Sequence, residues 1–489
     1  MQPVRKIVIV GGGTAGWMAA ALFSKTFGTQ HYDITLIESA EIGTVGVGEA
    51  TVPPIHLFNQ VLGLDEDEFV RATKATFKLG IEFVGWREEG QRYFHPFGFF
   101  GSDMDGISFL HYWLRFARLT GKADFSLFNA ESVAASQALF GRPGLNYAFN
   151  FDASLYAAFL RAFAEKHGVV RQEGTVERVD LDPESGFVTT LGLKNGLEIA
   201  GDLFLDCSGF RGLLIEGALK AGFDDWSAWL PCDRAAAVPC ETAPGPMHPY
   251  VTCTAREAGW QWRIPLQHRT GNGYVFCSDH LSEDEACAKL LTRLDGAPLN
   301  DPKILRFTAG HRRKMWDRNV VAIGLSGGFL EPLESTSIHL AQTAITKLFS
   351  YFPKAGFSQA VIDQYNREVL DAYVNVKDFV IAHYKVTARE DTPFWQRCRH
   401  MEIPDSLAAK IEIFRRTGTV PVQMHDLFRE SNWFAVLHGQ GLVPEDHHPL
   451  AGVLPEAELK LRLARIRTEI RDKVATLPTH GAFLQSMLR

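Results

Sequence analysis

The stretch KIVIVGGGTAGWMAAALFSKTF, residues 6–27, decides the fold. Its opening residues form a short apolar, β-branched run that reads as a buried parallel strand. Small residues follow, then a helix-forming segment, and DITLIES (33–39) is the next strand. Gly11, Gly13 and Gly16 therefore fall on the GxGxxG spacing inside a strand–turn–helix–strand unit, the context that motif requires. Thr14 and Ala15 complete the turn. Glycines at these places let the backbone approach a pyrophosphate, which then rests on the first turn of the helix. Glu38 ends the second strand, where an acid hydrogen-bonds a ribose hydroxyl and disfavours a 2′-phosphate. A dinucleotide site is the expectation; a glycine-rich turn in an ordinary α/β fold is the bland alternative.

Further along, residues 169–206 read as antiparallel β, with turn signals at DPESG and KNG. NVVAIGLSGGFLEPLEST (319–336) repeats the strand-then-glycine arrangement, with Gly324 at the turn. A βαβ start, a meander and later strand–glycine returns resemble FAD-dependent enzymes of the p-hydroxybenzoate hydroxylase type. No second complete GxGxxG is present for NADPH. The expected fold is α/β: an FAD-binding Rossmann-like module with an antiparallel β insertion, plus a mainly helical substrate module. Residues 1–92 and 150–350 are assigned to the first module, 93–149 and 351–489 to the second. A final amphipathic helix is expected near 455–476, with Leu459, Leu463, Ile466, Ile470 and Val474 on one face.

Composition narrows the function classes. Charged residues make up 22% of the 489 and hydrophobic residues 46%, an ordinary globular balance. The formal net charge of −7 gives no basic surface for nucleic acid. No apolar run is long enough to span a membrane, and the N-terminus enters a strand at once rather than a signal peptide. Seven scattered cysteines without CxxC spacing predict reduced thiols in a cytoplasm, with neither a disulfide framework nor a metal site.

Three patterns carry the chemistry. ATFKLGIEFVGW (75–86) places Lys78 in an apolar stretch; GWQWRIP (259–265) places Trp260 and Trp262 on either side of Gln261; GGFLEPLESTSIHL (327–340) contains Glu334, Ser335, Thr336, Ser337 and Ile338. Together they resemble the flavin-dependent tryptophan halogenase family. The similarity runs over nearly the whole chain, through GVGEAT (46–51), HYW (111–113), FDASL (151–155), DCSGFRGLLI (206–215), DFVIAHY (378–384), DTPFW (391–395) and GQGLVP (439–444).

The resemblance implies a chemistry. Reduced flavin and O2 form a flavin hydroperoxide, halide attacks it, and hypohalous acid moves through a tunnel to a lysine. The lysine, by hydrogen bond or as a haloamine, presents electrophilic halogen to an electron-rich arene. A glutamate stabilises the cationic intermediate and assists proton loss. On this reading Lys78 delivers the halogen and Glu334 is its acidic counterpart. The physical logic stands beside the resemblance: free hypohalous acid oxidises indiscriminately, and positioning alone supplies about 7–11 kcal/mol at best. An amine in apolar surroundings also favours its neutral, nucleophilic form.

Other roles stay open between function and packing. Glu334 fits a helix N-cap as well as catalysis. Trp260 and Trp262 project to one side of a strand, either as a core pair or as indoles lining the passage that keeps substrate from the flavin. The resemblance puts the halide against the backbone at Thr336 and Ser337, where many relatives have Gly at the second position, and puts flavin contacts at Ser335, Ile338 and Gly324. It makes Gly46, Val47, Gly48, Glu49, Ala50 and Thr51 a strap over the flavin; an ordinary crossover loop is the alternative. His95 and Phe97, in YFHPFG (93–98), border the arene in the family, although His95 is equally readable as a structural histidine.

The leading expectation is a two-component halogenase that takes FADH2 from a separate, diffusing reductase. Its co-substrates are O2 and chloride or bromide, and its substrate is indole-like, with free tryptophan left open because the amino-acid clamp does not map onto PVQMHDLFRESNWFAVLHGQG (421–441). A homodimer is a family-based expectation. The rival readings are a single-component NADPH-dependent FAD monooxygenase and a non-catalytic flavin-binding protein.

Overall fold

The computed structural model describes residues 3–39, 48–121, 123–354 and 356–488. The chain divides into two compact units, each assembled from three stretches: Met1–Ala75, Phe151–Asp233 and Arg306–Val374 in the first, and Thr76–Asn150, Arg234–Leu305 and Asn375–Arg489 in the second.

The first unit is built on a six-stranded sheet. Its strands run Trp316–Asp317, Val320–Ala322, Leu203–Asp206, Lys6–Val10, Asp33–Glu38 and Val170–Glu173 in spatial order. All neighbours are parallel except the first pair. Ile7, Val8, Ile9 and Val10 are consecutive and all buried, as expected of a parallel strand covered on both faces. The stretch expected to be antiparallel from 169 to 206 is so only in its middle. Val176–Leu181, Val188–Leu193 and Glu198–Ala200 form a separate antiparallel sheet. The flanking strands Val170–Glu173 and Leu203–Asp206 instead join the parallel sheet. Alternation in the sequence fixes which face of a strand is buried, not which neighbour the strand takes.

The second unit contains a seven-stranded sheet ordered Lys303–Arg306, Arg234–Cys240, Thr270–Phe276, Gly259–Pro265, Val251–Arg256, Gly80–Val84 and Arg92–Pro96. From Arg234–Cys240 onward its pairings are antiparallel, except that Val251–Arg256 runs parallel to Gly80–Val84. This corrects the expected helical module: residues 234–305, assigned above to the nucleotide module, build the sheet of the other unit. Helices Phe109–Thr120, Pro393–His400, Asp405–Thr417, Glu430–Gly439, Glu456–Val474 and His480–Met487 complete it. In Glu456–Val474 the stripe residues Leu459, Leu463 and Val474 are buried, while Ile466 and Ile470 are half-buried. No helix among the described residues is long and apolar enough to cross a membrane.

Asp206, fully buried at the end of its strand, ties the turn that follows. Its carboxylate accepts the Ser208 amide (3.0 Å) and hydroxyl (2.6 Å) on one oxygen and the Leu214 and Ile215 amides (2.8 and 2.9 Å) on the other. Its backbone carbonyl accepts the Ile323 amide at 2.9 Å, so the two later glycine-rich turns share one anchor. Asp206→Ala would strand two buried amides and one half-buried one and is expected to destabilise the protein by roughly 3–5 kcal/mol, measured by denaturant unfolding followed by circular dichroism.

Candidate active site

The first unit gathers the nucleotide-motif residues around one turn. Gly11 has φ +117°, and a Cβ there would lie 2.2 Å from the Cys207 carbonyl oxygen. A Cβ on Gly16 would lie 1.9 Å from the Gly11 carbonyl oxygen. Both glycines are therefore demanded by the protein's own packing. Gly13 differs, because a Cβ there would meet nothing within 4 Å. It precedes helix Thr14–Phe27, which has no side-chain cap and no acid in its first turn. An open backbone approach to uncapped amides fits a pyrophosphate. Glu38 accepts from Trp17 Nε1 at 3.3 Å and is ion-paired with Arg161 (3.4 Å) and Arg171. These partners fix the acid beside the turn.

The later glycine return packs against the same place. Gly324 adopts φ +70°, and a Cβ on it would come within 2.8 Å of Ala15 Cβ. Beyond it, Pro332–Glu334 makes a 3₁₀ turn and Ser337–Ser350 a helix. Glu334 is buried but does not cap that helix; the cap position is Thr336, without a side-chain cap bond. The reason is Ser335, which turns the chain through a left-handed conformation (φ +59°) between them. Such strain in a non-glycine residue costs about 1–3 kcal/mol and concentrates at functional sites. Thr336 Oγ1 is buried and makes no hydrogen bond among the described residues. With the free amides that begin any helix, it leaves Thr336, Ser337 and Ile338 as an anion-ready corner. Of the strap, Gly48–Ala50 forms a short strand, in which burial pushes the Glu49 carboxyl up to about 7. Pro53 and Pro54 lead from Thr51 into helix Ile55–Leu62. Gly46 and Val47 lie outside the described residues.

The second unit holds the lysine and the aromatic residues. Lys78 ends the strand Thr76–Lys78 and is 0% exposed. Thr76, Phe77 and Lys78 pair with Asn150, Phe149 and Ala148. The Thr76 hydroxyl donates to the Pro265 carbonyl (2.6 Å) and accepts from Asn150 Nδ2 (3.1 Å). The lysine strand is thereby joined to the end of the Trp-x-Trp-x-Ile-Pro strand. On the far side, the Leu79 amide donates to the Pro249 carbonyl (2.7 Å) and the Phe97 amide donates to the Leu79 carbonyl (2.8 Å). Lys78 Nζ stands 5.2 Å from the centre of the Phe97 ring, within cation–π range when charged.

His95 and Phe97 sit one residue apart at the end of the Arg92–Pro96 strand. His95 is buried, and its Nε2 accepts from Asn432 Nδ2 at 3.0 Å. Its ring lies 5.5 Å from Phe379 and 6.2 Å from Phe428. Phe379 and Phe428 stack at 3.8 Å. An aromatic wall thus includes Phe428 and Asn432, which come from a stretch the sequence left unmapped. Trp260 is fully buried, 6.5 Å from Trp86 and 6.1 Å from Trp262. Trp262 lies over Gly273, its cross-strand partner, where a Cβ would collide with the indole at 2.0 Å. Trp260 is thus part of the core. Trp262 Nε1 is buried and makes no hydrogen bond among the described residues. The described residues contain no group of three or more His, Cys, Asp or Glu side chains arranged to hold a metal.

Comparison with known proteins gives this arrangement its class. Residues 6–456 match the tryptophan halogenase family. The chain is 46% identical to Xcc4156, a flavin-dependent halogenase from Xanthomonas campestris; the two structures superpose with a TM-score of 0.97 over 99% of each chain. It is 45% identical to BrvH, a flavin-dependent halogenase from Brevundimonas sp. BAL3, with a TM-score of 0.95 over 99% of each. Tryptophan 6-halogenase ThaL from Streptomyces albogriseolus is 35% identical over 99% of this chain and 98% of its own. The chain belongs to the flavin-dependent tryptophan halogenase family and is a flavin-dependent halogenase.

The glycine turn yields a test that separates packing from ligand binding. Gly13→Ala is expected to leave the melting temperature within a few degrees while weakening FAD binding at least tenfold, read by flavin fluorescence. Gly16→Ala, whose Cβ has no room, is expected to lower the melting temperature itself.

Proposed function

We propose that this chain uses FADH2, O2 and chloride or bromide to halogenate an electron-rich, indole-like arene, with Lys78 and Glu334 as its catalytic residues. The observation that carries this reading is the amine of Lys78, fully buried and held 5.2 Å from the Phe97 ring. Bound reduced flavin, with O2, supplies the oxidising power that makes halide electrophilic; the remaining tasks fall to side chains. The turn at Gly11–Gly16 takes the pyrophosphate, and Glu38 takes a ribose hydroxyl. Gly48, Glu49 and Ala50 act as the strap at the flavin. The amides at Thr336 and Ser337 receive the halide anion, helped by the unsatisfied Thr336 hydroxyl. Lys78 presents the halogen to one ring carbon, Phe97 and His95 border the arene, and Glu334 accepts the proton that the ring must lose. Trp262 shields the oxidised halogen from the arene until Lys78 presents it.

The aromatic wall of Phe97, His95, Phe379 and Phe428 suits an indole-like ring. The alignment with ThaL runs over 530 positions against 489 residues here, so that tryptophan halogenase carries segments this chain lacks. Xcc4156 and BrvH each match over 99% of both chains. The absence of a second GxGxxG from the sequence supports reduction of the flavin by a separate protein.

The test supplies a flavin reductase, NADH, FAD, O2 and either halide, and screens indoles, phenols and tryptophan by mass spectrometry. Lys78→Ala is expected to lower halogenation by roughly 10³-fold or more, with FAD affinity retained. Glu334→Gln is expected to lower it roughly 10²-fold. Hydroxylated product in the absence of halide, or full activity in Lys78→Ala, defeats the reading. Ser337→Gly removes the side chain beside the anion corner and is expected to shift the bromide-to-chloride ratio of products in a competition assay; an unchanged ratio removes Ser337 from the halide site.

A further inference from the structure

The strand that carries Lys78 is also held from the far end of the sequence. Helix His480–Met487 begins with a histidine that is 0% exposed. Its Nε2 lies 3.2 Å from the Phe77 amide nitrogen, and its Nδ1 lies 3.0 Å from the Met247 carbonyl oxygen. An amide can only donate and a carbonyl can only accept. Both contacts are satisfied together by one tautomer, with the proton on Nδ1 and the lone pair on Nε2. Burial supports the same state by lowering the imidazole to about 4.

The helix is itself anchored. The His480 amide donates to the Ala138 carbonyl (2.8 Å), and the Phe140 amide donates to the Pro478 carbonyl (3.1 Å). One turn on, Phe483 meets the Phe77 ring at 5.4 Å, and Phe140 stacks on that ring at 4.1 Å. Phe77 is thus held by its backbone and its ring. Successive side chains of a strand point to opposite faces. The C-terminal helix therefore grips the face opposite the one from which the Lys78 side chain leaves.

We infer that His480 is a positioning residue for halogen transfer, holding the Phe77 amide so that the adjoining Lys78 amine keeps a single placement toward the aromatic wall. The inference rests on the reading of Lys78 as the halogen-delivering residue. Without an acceptor, the Phe77 amide is buried and unsatisfied, and the strand gains freedom to shift. A displacement of about 1 Å in a delivering group lowers transfer by roughly 10²-fold, whereas halide oxidation depends on the first unit's residues.

The experiment separates these two steps in the complete protein, with reductase, NADH, FAD, O2, bromide and indole. One reaction measures bromoindole; a parallel one replaces indole with a β-diketone that traps released electrophilic bromine. His480→Ala is expected to lower bromoindole by roughly 10²-fold while trapped bromine stays within about twofold of the unmodified protein. His480→Gln, which can still accept from the amide and donate to the carbonyl, is expected to recover most of the bromoindole. A parallel fall of both products, or a glutamine variant no better than alanine, overturns the inference. Should His480→Ala not fold, nitrogen NMR of the unmodified protein decides. A neutral imidazole protonated on Nδ1 supports the assignment, and the other tautomer or an imidazolium at neutral pH overturns it. Lys78→Ala in the same assay isolates the underlying reading. If it leaves bromoindole intact, the lysine assignment fails; if it abolishes bromoindole while His480→Ala leaves the partition unchanged, only the positioning role fails.

Discussion

A long, flexible amine can act at one carbon of a substrate only if its backbone does not move. On the proposed role of Lys78 that requirement falls on its very short strand, which is held by polar bonds at several points. The Thr76 hydroxyl, the Phe77 amide, and both the amide and the carbonyl of Leu79 each have a defined partner: Pro265, His480, Pro249 and Phe97. Three of those four partners lie far away in sequence: at the end of one strand of the large sheet, in the loop before another, and in the final helix. Because a buried amide or hydroxyl left without a partner costs about 1–3 kcal/mol, the network resists displacement at each of its bonds. Lys78 has four methylene groups of freedom, yet its origin is fixed.

The first unit solves a different problem with similar means. On the proposed reading its turns bring bare backbone close to a negatively charged ligand, and they contain few side chains with which to stabilise themselves. Asp206 does that work from beneath. One buried carboxylate collects three amides and a hydroxyl, and its carbonyl holds Ile323 at the start of the second glycine return. The three motif glycines divide between the two demands. Gly11 and Gly16 exist because other protein atoms are too close for a Cβ, whereas Gly13 faces open space. A shared consensus spacing thus hides two physical causes. Ser335 is the later return's strained counterpart: a left-handed residue that separates Glu334 from the helix cap position at Thr336.

The order of strand, glycine turn, helix, strand and acid at 6–38 was readable because each signal is local. The strand has its β-branched run, the helix its small-residue start, and the turn its glycines. Lys78 and Glu334 were singled out for another reason: they sit in short patterns rare enough to identify the family. Asn432 and Phe428 were not readable, because nothing in LFRESNWF announces that an amide will meet His95 or that a phenyl ring will stack on Phe379. Thr76 stood inside a quoted motif, but its partner is a carbonyl 189 positions away. His480 carried no signal at all; its value comes from an amide 403 positions earlier.

The sequence alone determined the strand–turn–helix–strand start, the halogenase family and the amphipathic stripe of Glu456–Val474, since periodicity and motif spacing are properties of neighbours along the chain. It misplaced residues 234–305, because a strand's alternation reports a buried face and not the sheet that buries it. Only the tertiary structure decided that those strands carry the lysine's supports, that Gly13 is spared by the protein's own packing, and that a histidine near the last residues holds the strand of Lys78. Those facts are distances between segments remote in sequence, set by which polar groups find partners once water has been excluded.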